Sequence, residues 1–387
     1  MKLGVELLLQ HELENLRGKR LGILAHQASL TQEGIHIVDA LCSNKSLNVT
    51  ALFGPEHGLT THAQDMEAVE NSSHKGIPVY SLYGSSLDSL FPSKEMLKNI
   101  DVLIVDLQDV GSRYYTYVWT AVLCMKTCAE HGIEVIVCDR PNPLGGINIE
   151  GAGIRKGYES FVGLYDVPVR HGLTIGEICQ LVKQREKLKC KLHIIKMEGW
   201  SRNQLWPQTQ VPWVNPSPNM RSFEAALLYP GMCLLEATNL SEGRGTDAPF
   251  EKIGAPYLNA QELLAAFFEL NLPGITGTSL KFTPSFQKWK NENCFGIQWN
   301  ITDRNTFQPY LFGVAFVWLT HQLFSKHGFE WRHEPYEFVK HIPAIDLLTG
   351  SDEFRKRIGT KDLEEIKAIC NPDTNFSDEK NACTLYP

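Results

Sequence analysis

The first 150 residues alternate between short apolar runs and bursts of polar, glycine and proline residues. Each run is typical of a fully buried strand, and most runs end in a long polar segment. The runs occupy residues 21–25, 48–53, 101–106 and 134–138. In an open parallel sheet, ligands bind outside the carboxyl ends of the strands. The pattern therefore predicts one polar crevice that is built from several strand ends.

Segments of helical spacing separate these runs. Residues 34–42 and 117–130 place apolar side chains at helical intervals, and the second segment stops at His131-Gly132. Alternation of strands and helices predicts a doubly wound α/β domain with a parallel sheet. A stretch rich in glycine and proline at 141–157 indicates the junction with a second domain.

The pattern beyond the junction is mixed and predicts an α+β arrangement. Thr174 is followed three residues later by Glu177, which is the spacing of a capping box at the start of a helix. The predicted helices cover residues 174–183, 260–269 and 310–326, and the predicted strands cover 191–197 and 295–301.

Composition excludes several classes of partner. The 387 residues carry a net charge of −7, which argues against a nucleic-acid or anionic membrane surface. No apolar run is long enough for a membrane span, and the start does not have the pattern of a signal peptide. We therefore expect a cytoplasmic protein, or a periplasmic or secreted one whose leader has been removed. The ten cysteines contain no CxxC pair, which favours reduced core residues over disulfides.

Glu56 is the strongest single candidate for chemistry. It directly follows an apolar run, so a rigid strand would fix the base of its side chain. Pro55 restricts the chain before it, and Gly58 lets the chain turn after it. A carboxyl held near apolar neighbours can stay protonated and act as a general acid. The alternative is a glutamate that caps a helix or forms a salt bridge in a loop.

Two further groups follow the later runs. Asp109 and Arg113 lie beyond the third run, where the guanidinium could bind a substrate carboxylate or pair with the aspartate. Arg140 and Asn142 lie beyond the fourth. The amide of Asn142 suits sugar hydroxyls, and an equally simple interpretation is a turn between two prolines.

A polar, glycine-rich loop at 236–246 offers a second carboxylate, Glu242. Gly243 and Gly245 flank Arg244, which predicts that the backbone approaches a ligand closely at this point. The alternative is an interdomain loop that is tied by a Glu–Arg pair.

Other candidates have a plain structural explanation. His171 precedes the predicted capping-box helix and could be a hydrogen-bonded structural residue. The spacing of His57, His62 and Asp65 matches no common metal site, so no metal is predicted. Residues 151–157 resemble a dinucleotide-binding loop, but the glycine spacing is wrong. We therefore expect no cofactor.

Six segments taken together resemble, in the same order, the signature strings of the NamZ-type exo-β-N-acetylmuramidases, a family formerly described as a domain of unknown function. The resemblance extends over nearly the whole chain. The segments are residues 53–58, 106–117, 139–146, 170–177, 216–219 and 241–246.

The resemblance implies a glycoside hydrolase of peptidoglycan recycling that releases N-acetylmuramic acid from the non-reducing end of cell-wall fragments. It implies a Rossmann-like, doubly wound parallel-sheet domain at 1–152 that carries the catalytic glutamate. A second, smaller α+β domain at 153–387 would close the active-site cleft. Neither a metal nor a nucleotide is implied. The alternatives are another hydrolase or transferase of amino sugars, or a non-catalytic protein that binds muropeptides.

The resemblance also implies roles for residues of this chain. Glu56 is the expected catalytic acid, and Asp109, Asn142 and Glu242 are candidates for orienting the 2-acetamido group or activating water. Muramic acid carries a lactyl carboxylate, so an arginine is expected nearby, with Arg113, Arg140 and Arg244 as candidates. The expected substrate-binding residues are His57, Gln108, Arg113, Tyr117, Arg140, Asn142, His171, Asn219, Asn239, Arg244 and Thr246.

Other residues occupy three glycine positions of the family pattern, and Ala152 stands where a proline is usual. Thr61 and Met66 stand where glycines are usual after the segment that contains Glu56, and Ala237 stands where a glycine usually precedes Thr238-Asn239. Residues other than glycine lose easy access to positive φ. We therefore expect the loop beside Glu56 to take a different path, with an effect on substrate preference.

Overall fold

The computed structural model describes residues 1–61, 63–64, 66–372 and 376–387. The strands are β1 (Arg20–Ala25), β2 (Asn48–Gly54), β3 (Ser72–His74), β4 (Ile77–Ser81), β5 (Val102–Asp106), β6 (Glu134–Cys138), β7 (Leu192–Ile195), β8 (Lys252–Ala255), β9 (Ile275–Phe282) and β10 (Cys294–Ile301).

The α-helices are α1 (Gly4–Leu7), α2 (Leu13–Leu16), α3 (Ile37–Ser43), α4 (Lys94–Leu97), α5 (Tyr117–Glu130), α6 (Ile175–Arg185), α7 (Trp206–Thr209), α8 (Phe223–Met232), α9 (Ala260–Phe268), α10 (Pro309–Phe324), α11 (Ala344–Thr349), α12 (Glu353–Arg357), α13 (Leu363–Ile369) and α14 (Phe376–Cys383). Shorter turns are a π-helical turn at Leu8–Glu12 and 3₁₀ turns at Leu87–Leu90 and Cys233–Ala237.

Seven strands form one sheet in the order β3-β4-β2-β1-β5-β6-β7. Strand β3 pairs antiparallel with β4 at one edge, and the other pairings in this sheet are parallel. Every residue of β5 is buried, as expected for a strand covered on both faces. The winding direction reverses between β1 and β5, which marks the switch point of a doubly wound sheet. The prediction of a Rossmann-like parallel sheet is confirmed.

A smaller antiparallel sheet in the order β8-β10-β9 lies in the second half of the chain. Its core forms where Trp299 of β10 packs against Phe267 of α9 and Phe312 of α10, with ring centroids 4.7 and 4.9 Å apart. Such aromatic contacts add stability beyond the apolar area that they bury. The predicted mixture of helices and strands is confirmed in this half.

Helix α6 begins with the predicted capping box. Thr174 Oγ1 accepts a hydrogen bond from the Glu177 N–H at 3.2 Å, and Glu177 Oε2 accepts one from the Thr174 N–H at 3.0 Å. The helix leads into β7, which pairs in parallel with β6. The seven-stranded sheet therefore extends beyond the predicted domain boundary at residue 152.

The ten cysteines all lie within the described residues and are all free, as predicted. Nine are buried, and Cys42 is partly exposed. Across the described ranges, no helix combines the length and the apolar character that crossing a membrane requires.

Candidate active site

Glu56 lies in a pocket with a cavity volume of about 40 Å³, two residues beyond the end of β2. We call this the Glu56 pocket. It is built from the segment after β2, the segment that enters α5 and several segments of the second half of the chain. The lining residues are Glu56, His57, Tyr114, Tyr115, Thr116, Tyr117, Val162, Ser217, Met220, Tyr229, Glu236, Arg244, Phe250, Tyr336 and Glu337.

The carboxyl of Glu56 is held at both oxygens. Thr116 Oγ1 donates to Oε2 at 2.7 Å, and the Met66 N–H donates to Oε1 at 3.3 Å. The Tyr117 hydroxyl reaches the Glu56 main-chain oxygen at 3.3 Å and the Pro216 carbonyl at 2.7 Å. Glu56 is only 6% exposed, so its carboxyl faces the pocket rather than bulk water.

The backbone after Glu56 is left-handed at three positions that are not glycine. The φ values are 69° at His57, 53° at Thr61 and 59° at Met66. The expectation that Thr61 and Met66 lose access to positive φ is therefore wrong. Tertiary contacts hold both residues there, because Thr61 Oγ1 accepts from the Gln27 N–H at 3.3 Å and Met66 contacts Glu56. Strained residues of this kind cluster at functional sites.

Aromatic rings form much of the pocket wall. The rings of Tyr115 and Tyr117 meet edge to face with centroids 4.7 Å apart, and those of Tyr229 and Phe250 lie 4.9 Å apart. Burial raises the pKa of Tyr117 and Tyr229 well above the usual value for tyrosine. Both hydroxyls therefore stay protonated, and the wall presents apolar ring surface and neutral polar groups.

Arg244 contacts two carboxylates, that of Glu236, which lines the pocket, and that of Glu242, which is not among the lining residues. Its Nη2 donates to Glu236 Oε1 at 2.6 Å, and its Nε lies 3.1 Å from Glu242 Oε1. Lys288 Nζ donates to Glu242 Oε2 at 2.9 Å. Glu242 is thus an ion-pair partner of two cations, whereas Glu236 lines the Glu56 pocket.

The glycines on either side of Arg244 make room for the protein's own backbone. Gly243 and Gly245 have φ values of 82° and 80°. A Cβ at Gly243 would lie 2.2 Å from the Lys252 carbonyl oxygen. Thr246 Oγ1 donates to the Gly243 carbonyl at 2.6 Å and closes the turn. The close approach predicted here is therefore made by main-chain atoms of the protein.

Asp109 and His171 lie together outside the residues that line the pocket. Asp109 Oδ2 accepts from the Gly111 N–H at 2.6 Å and lies 3.9 Å from His171 Nε2. Burial raises the pKa of Asp109 to about 7, and burial lowers the pKa of His171 to about 3. Around neutral pH, His171 is uncharged and Asp109 is close to half ionised.

Four predicted binding residues hold the loops at the sheet's carboxyl edge. Arg113 donates to the carbonyls of residues 152, 167 and 348, and Arg140 forms a two-point ion pair with Asp106. Asn142 Nδ2 donates to the carbonyl of residue 173 at 2.9 Å, and Gln108 Nε2 donates to that of residue 141 at 2.9 Å. These contacts position the loops around the pocket.

Two predicted asparagines also contact other protein groups. Asn219 Nδ2 donates to Gln64 Oε1 at 2.9 Å, which links the loop near Met220 to the loop after Glu56. Asn239 Nδ2 donates to the carbonyl of residue 328 at 2.7 Å, and its Oδ1 accepts from the Tyr257 hydroxyl. Both asparagines tie separate segments of the chain together.

The sequence reasoning missed several residues of the pocket wall, among them Thr116, Glu236, Tyr336 and Glu337. Thr116 lies in the motif segment 106–117 and Glu236 in the glycine-rich loop at 236–246, but the sequence pattern indicates no role for either. Tyr336 and Glu337 lie in a segment without any motif; the Tyr336 hydroxyl donates to Glu236 Oε2 at 2.7 Å. Glu337 accepts from the Tyr83 hydroxyl at 3.2 Å. A polar pair in a motif-free segment gives no sequence signal, because only the fold places it beside Glu56.

Two of the three residues considered above as a metal site, His62 and Asp65, lie outside the described residues. Among the described residues, no group of three histidine, cysteine or acidic side chains is placed to hold a metal ion. His57 Nδ1 instead contacts the carbonyl oxygen of Ala63 at 2.9 Å.

A doubly wound sheet that places a fixed carboxyl in an enclosed, tyrosine-lined pocket defines a candidate acid–base enzyme. The family model described as exo-β-N-acetylmuramidase NamZ, N-terminal, matches residues 21–224, and the C-terminal model matches residues 227–386. The chain belongs to the exo-β-N-acetylmuramidase NamZ family, which confirms the resemblance given by its six motifs.

Similar proteins cover the whole chain. It is 40% identical over 387 residues to the peptidoglycan β-N-acetylmuramidase NamZ of Bacillus subtilis (strain 168), covering 99% of this chain and 91% of that protein. A crystal structure of a DUF1343 family protein from Bacteroides fragilis NCTC 9343 matches with a TM-score of 0.89, at 32% identity and covering 100% and 99% of the two chains. A second such protein from the same organism has a TM-score of 0.75 at 28% identity, covering 100% and 98%.

Proposed function

We propose that the chain is a glycosidase that releases N-acetylmuramic acid from the non-reducing end of peptidoglycan fragments. The observation that carries this proposal is the carboxyl of Glu56, fixed inside an enclosed pocket at the carboxyl edge of the parallel sheet. Membership of the exo-β-N-acetylmuramidase NamZ family supports the choice of substrate.

The shape of the pocket supports removal of a terminal sugar. Aromatic rings such as Tyr115 and Tyr229 line the wall, and ring faces pack well against the apolar face of a sugar. An enclosed pocket admits the end of a glycan and excludes its interior, which is the requirement of an exo-acting enzyme.

Glu56 is the general acid in this proposal. Cleavage of a β-glycosidic bond needs a proton on the leaving oxygen, and a positioned carboxyl supplies it. Thr116 Oγ1 and the Met66 N–H fix the carboxyl at both oxygens, so little rotational freedom is lost when substrate binds.

Glu236 is the second carboxylate in this proposal. The transition state of glycoside cleavage develops positive charge at the anomeric carbon, which a fixed negative charge stabilises. Arg244 Nη2 and the Tyr336 hydroxyl both donate to Glu236 on the pocket wall, which keeps its charge in one place. Asp109 and Glu242 contact His171 and Lys288 outside the lining residues, so we assign them structural roles.

The substitution Glu56→Gln tests the proposal, with a chromogenic β-N-acetylmuramide and a muramic-acid disaccharide as substrates. We expect kcat to fall about 10²- to 10⁴-fold on the disaccharide. The loss is smaller on the aryl substrate, because a good leaving group needs less protonation. Glu67→Gln changes the same charge on the same loop and serves as the control.

Three results would contradict parts of the proposal. Full activity of the Glu56→Gln protein removes Glu56 from the mechanism. Equal turnover of a glucosaminide and a muramide by the unmodified chain indicates a broader amino-sugar hydrolase. Binding of N-acetylmuramic acid without any turnover indicates a binding protein.

A further inference from the structure

The arginines predicted to bind the lactyl carboxylate are engaged elsewhere. The guanidinium of Arg113 donates to main-chain carbonyls, and that of Arg140 pairs with Asp106. Arg244 lies on the pocket wall but contacts two carboxylates, Glu236 and Glu242. The negative charge of these carboxylates disfavours a third carboxylate beside Arg244. The anionic group that distinguishes muramic acid from glucosamine therefore needs another cation.

Arg332 lies against three segments that form the Glu56 pocket. The main-chain N–H of Arg332 donates to the carbonyl of Ala237 at 2.8 Å, and Ala237 is the neighbour of Glu236. Its guanidinium carbon lies 5.4 Å from the ring centre of Tyr336. Its Nη2 lies 3.8 Å from Met66 Sδ, and the Met66 N–H contacts the carboxyl of Glu56. These contacts place the Arg332 guanidinium beside Tyr336 of the pocket wall and beside Met66, which contacts Glu56.

The polar contacts of Arg332 are few. Nη2 donates to the Pro335 carbonyl at 3.3 Å. Nε is buried and has no hydrogen-bond partner among the described residues. The ion pairs formed within the described part of the chain do not include Arg332. A half-buried guanidinium that lies beside an aromatic ring and has no ion-pair partner in the described part of the chain is suited to a carboxylate ligand.

We propose that Arg332 recognises the lactyl carboxylate of the muramic acid residue and thereby sets the specificity of the pocket. This inference rests on the proposed function. Met66 is a positioning residue in it, because its thioether contacts the guanidinium while its N–H contacts Glu56. Its strained φ of 59° is thus associated with a contact that joins the acid to the carboxylate-binding group.

Two substrates that differ only at the lactyl carboxyl group test the inference. One is a chromogenic β-N-acetylmuramide with a free lactyl carboxylate, and the other is its methyl ester. We expect the unmodified chain to prefer the free acid in kcat/KM by about 10- to 100-fold, the range of a charge-assisted hydrogen-bonded pair. In the Arg332→Gln protein we expect this preference to disappear through a raised KM for the acid, with a much smaller change in kcat/KM for the ester.

Three further variants control for structure and for general charge. Arg332→Lys keeps the positive charge but cannot form two parallel hydrogen bonds to a carboxylate, so we expect this variant to retain part of the preference for the acid. Arg221→Gln removes an exposed arginine that donates to the carbonyls of residues 218 and 246, and we expect the full preference in that protein. Met66→Gly removes the thioether contact and relieves the left-handed strain, so we expect a weaker preference without loss of stability.

The outcomes separate this inference from the proposed function. The role of Arg332 is overturned if the Arg332→Gln protein still prefers the acid, or if its kcat/KM falls equally for the acid and the ester. An unmodified chain that cleaves neither substrate contradicts the proposed function. In that case, calorimetry of N-acetylmuramic acid and its methyl ester, with the unmodified and Arg332→Gln proteins, still decides whether Arg332 reads the carboxylate.

Discussion

The Thr116 hydroxyl donates a 2.7 Å hydrogen bond to Glu56 Oε2, although Thr116 occupies the N-cap position of α5. An N-cap threonine commonly uses its side-chain oxygen to accept from its own helix. Here no side-chain cap bond is formed, and the hydroxyl serves the carboxyl at the end of β2 instead. The start of α5 and the end of β2 are therefore fixed to each other at the proposed general acid.

Replacing Thr116 with valine removes this hydrogen bond and keeps the shape of the side chain. We expect kcat on the muramic-acid disaccharide to fall about 10-fold with little change in KM, because the carboxyl is less well positioned. Steady-state kinetics measure the two constants. Thr116→Ser keeps the hydroxyl and is the matched control, so equal losses in both variants would count against a role for the hydroxyl.

Glu242→Gln tests the ion-pair role of this residue. The Glu242 side chain is 3% exposed and lies between Lys288 and Arg244. Removing its charge takes one ion-pair partner from each of the two cations, so we expect the free energy of unfolding to fall by about 2–4 kcal/mol. Denaturant unfolding measures the change, with the exposed substitution Glu67→Gln as reference. A change within the error of that reference would show that the buried pair contributes little.

Asp109→Asn tests the titration of a buried carboxyl. Burial raises the folded-state pKa of Asp109 to about 7 from its ordinary value of 3.8. The stability contributed by the bound proton is complete below the unfolded pKa and is lost as pH rises through 7. Asparagine does not titrate, so we expect the variant to gain about 2–3 kcal/mol relative to the unmodified chain between about pH 5 and about pH 8.

Unfolding curves at both pH values measure this gain as a difference between the two proteins. Burial lowers the pKa of His171 to about 3, so its contribution to stability increases as pH rises toward 6.5. Because His171 is present in both proteins, its titration cancels to first order in that difference. If the free energy of unfolding changes with pH by the same amount in both proteins, the pKa of Asp109 is not raised.

Thiol labelling tests the state of the cysteines. All ten are free within the described residues, and Cys42 is the one that is not fully buried. We expect slow reaction of Cys42 in the native protein, since burial raises its pKa, and reaction of ten thiols after unfolding without reductant. Mass spectrometry counts the labels. Fewer than ten labels in the unfolded protein would indicate a disulfide.

The fold follows from local patterns of the sequence. Apolar runs predicted the central strands, and helical spacing predicted α5 at 117–130. The spacing of Thr174 and Glu177 predicted the start of α6. Each of these signals depends on residues within a few positions of one another. The position of Glu56 beyond β2 follows from the same reasoning, because a strand end fixes where a side chain begins.

The partners of charged side chains depend on contacts that sequence spacing does not contain. Arg113 and Arg140 stand in motifs of the kind that bind substrate, yet their guanidinium groups are satisfied inside the protein. Arg332 and Glu337 lie in an irregular segment that isolated bridges hold in place, such as the bridge between Thr238 and Trp331. Only the tertiary structure shows that Arg244 lines the pocket and that Arg332 lies beside Tyr336 of its wall.

The wall of the Glu56 pocket includes Tyr336 and Glu337, which follow the last strand of both sheets in the chain. A fragment that ends before these residues retains the acid but has an open, solvent-filled site. Hydrolysis therefore requires the complete fold. Partly synthesised or proteolysed chains are expected to have no activity on cell-wall fragments.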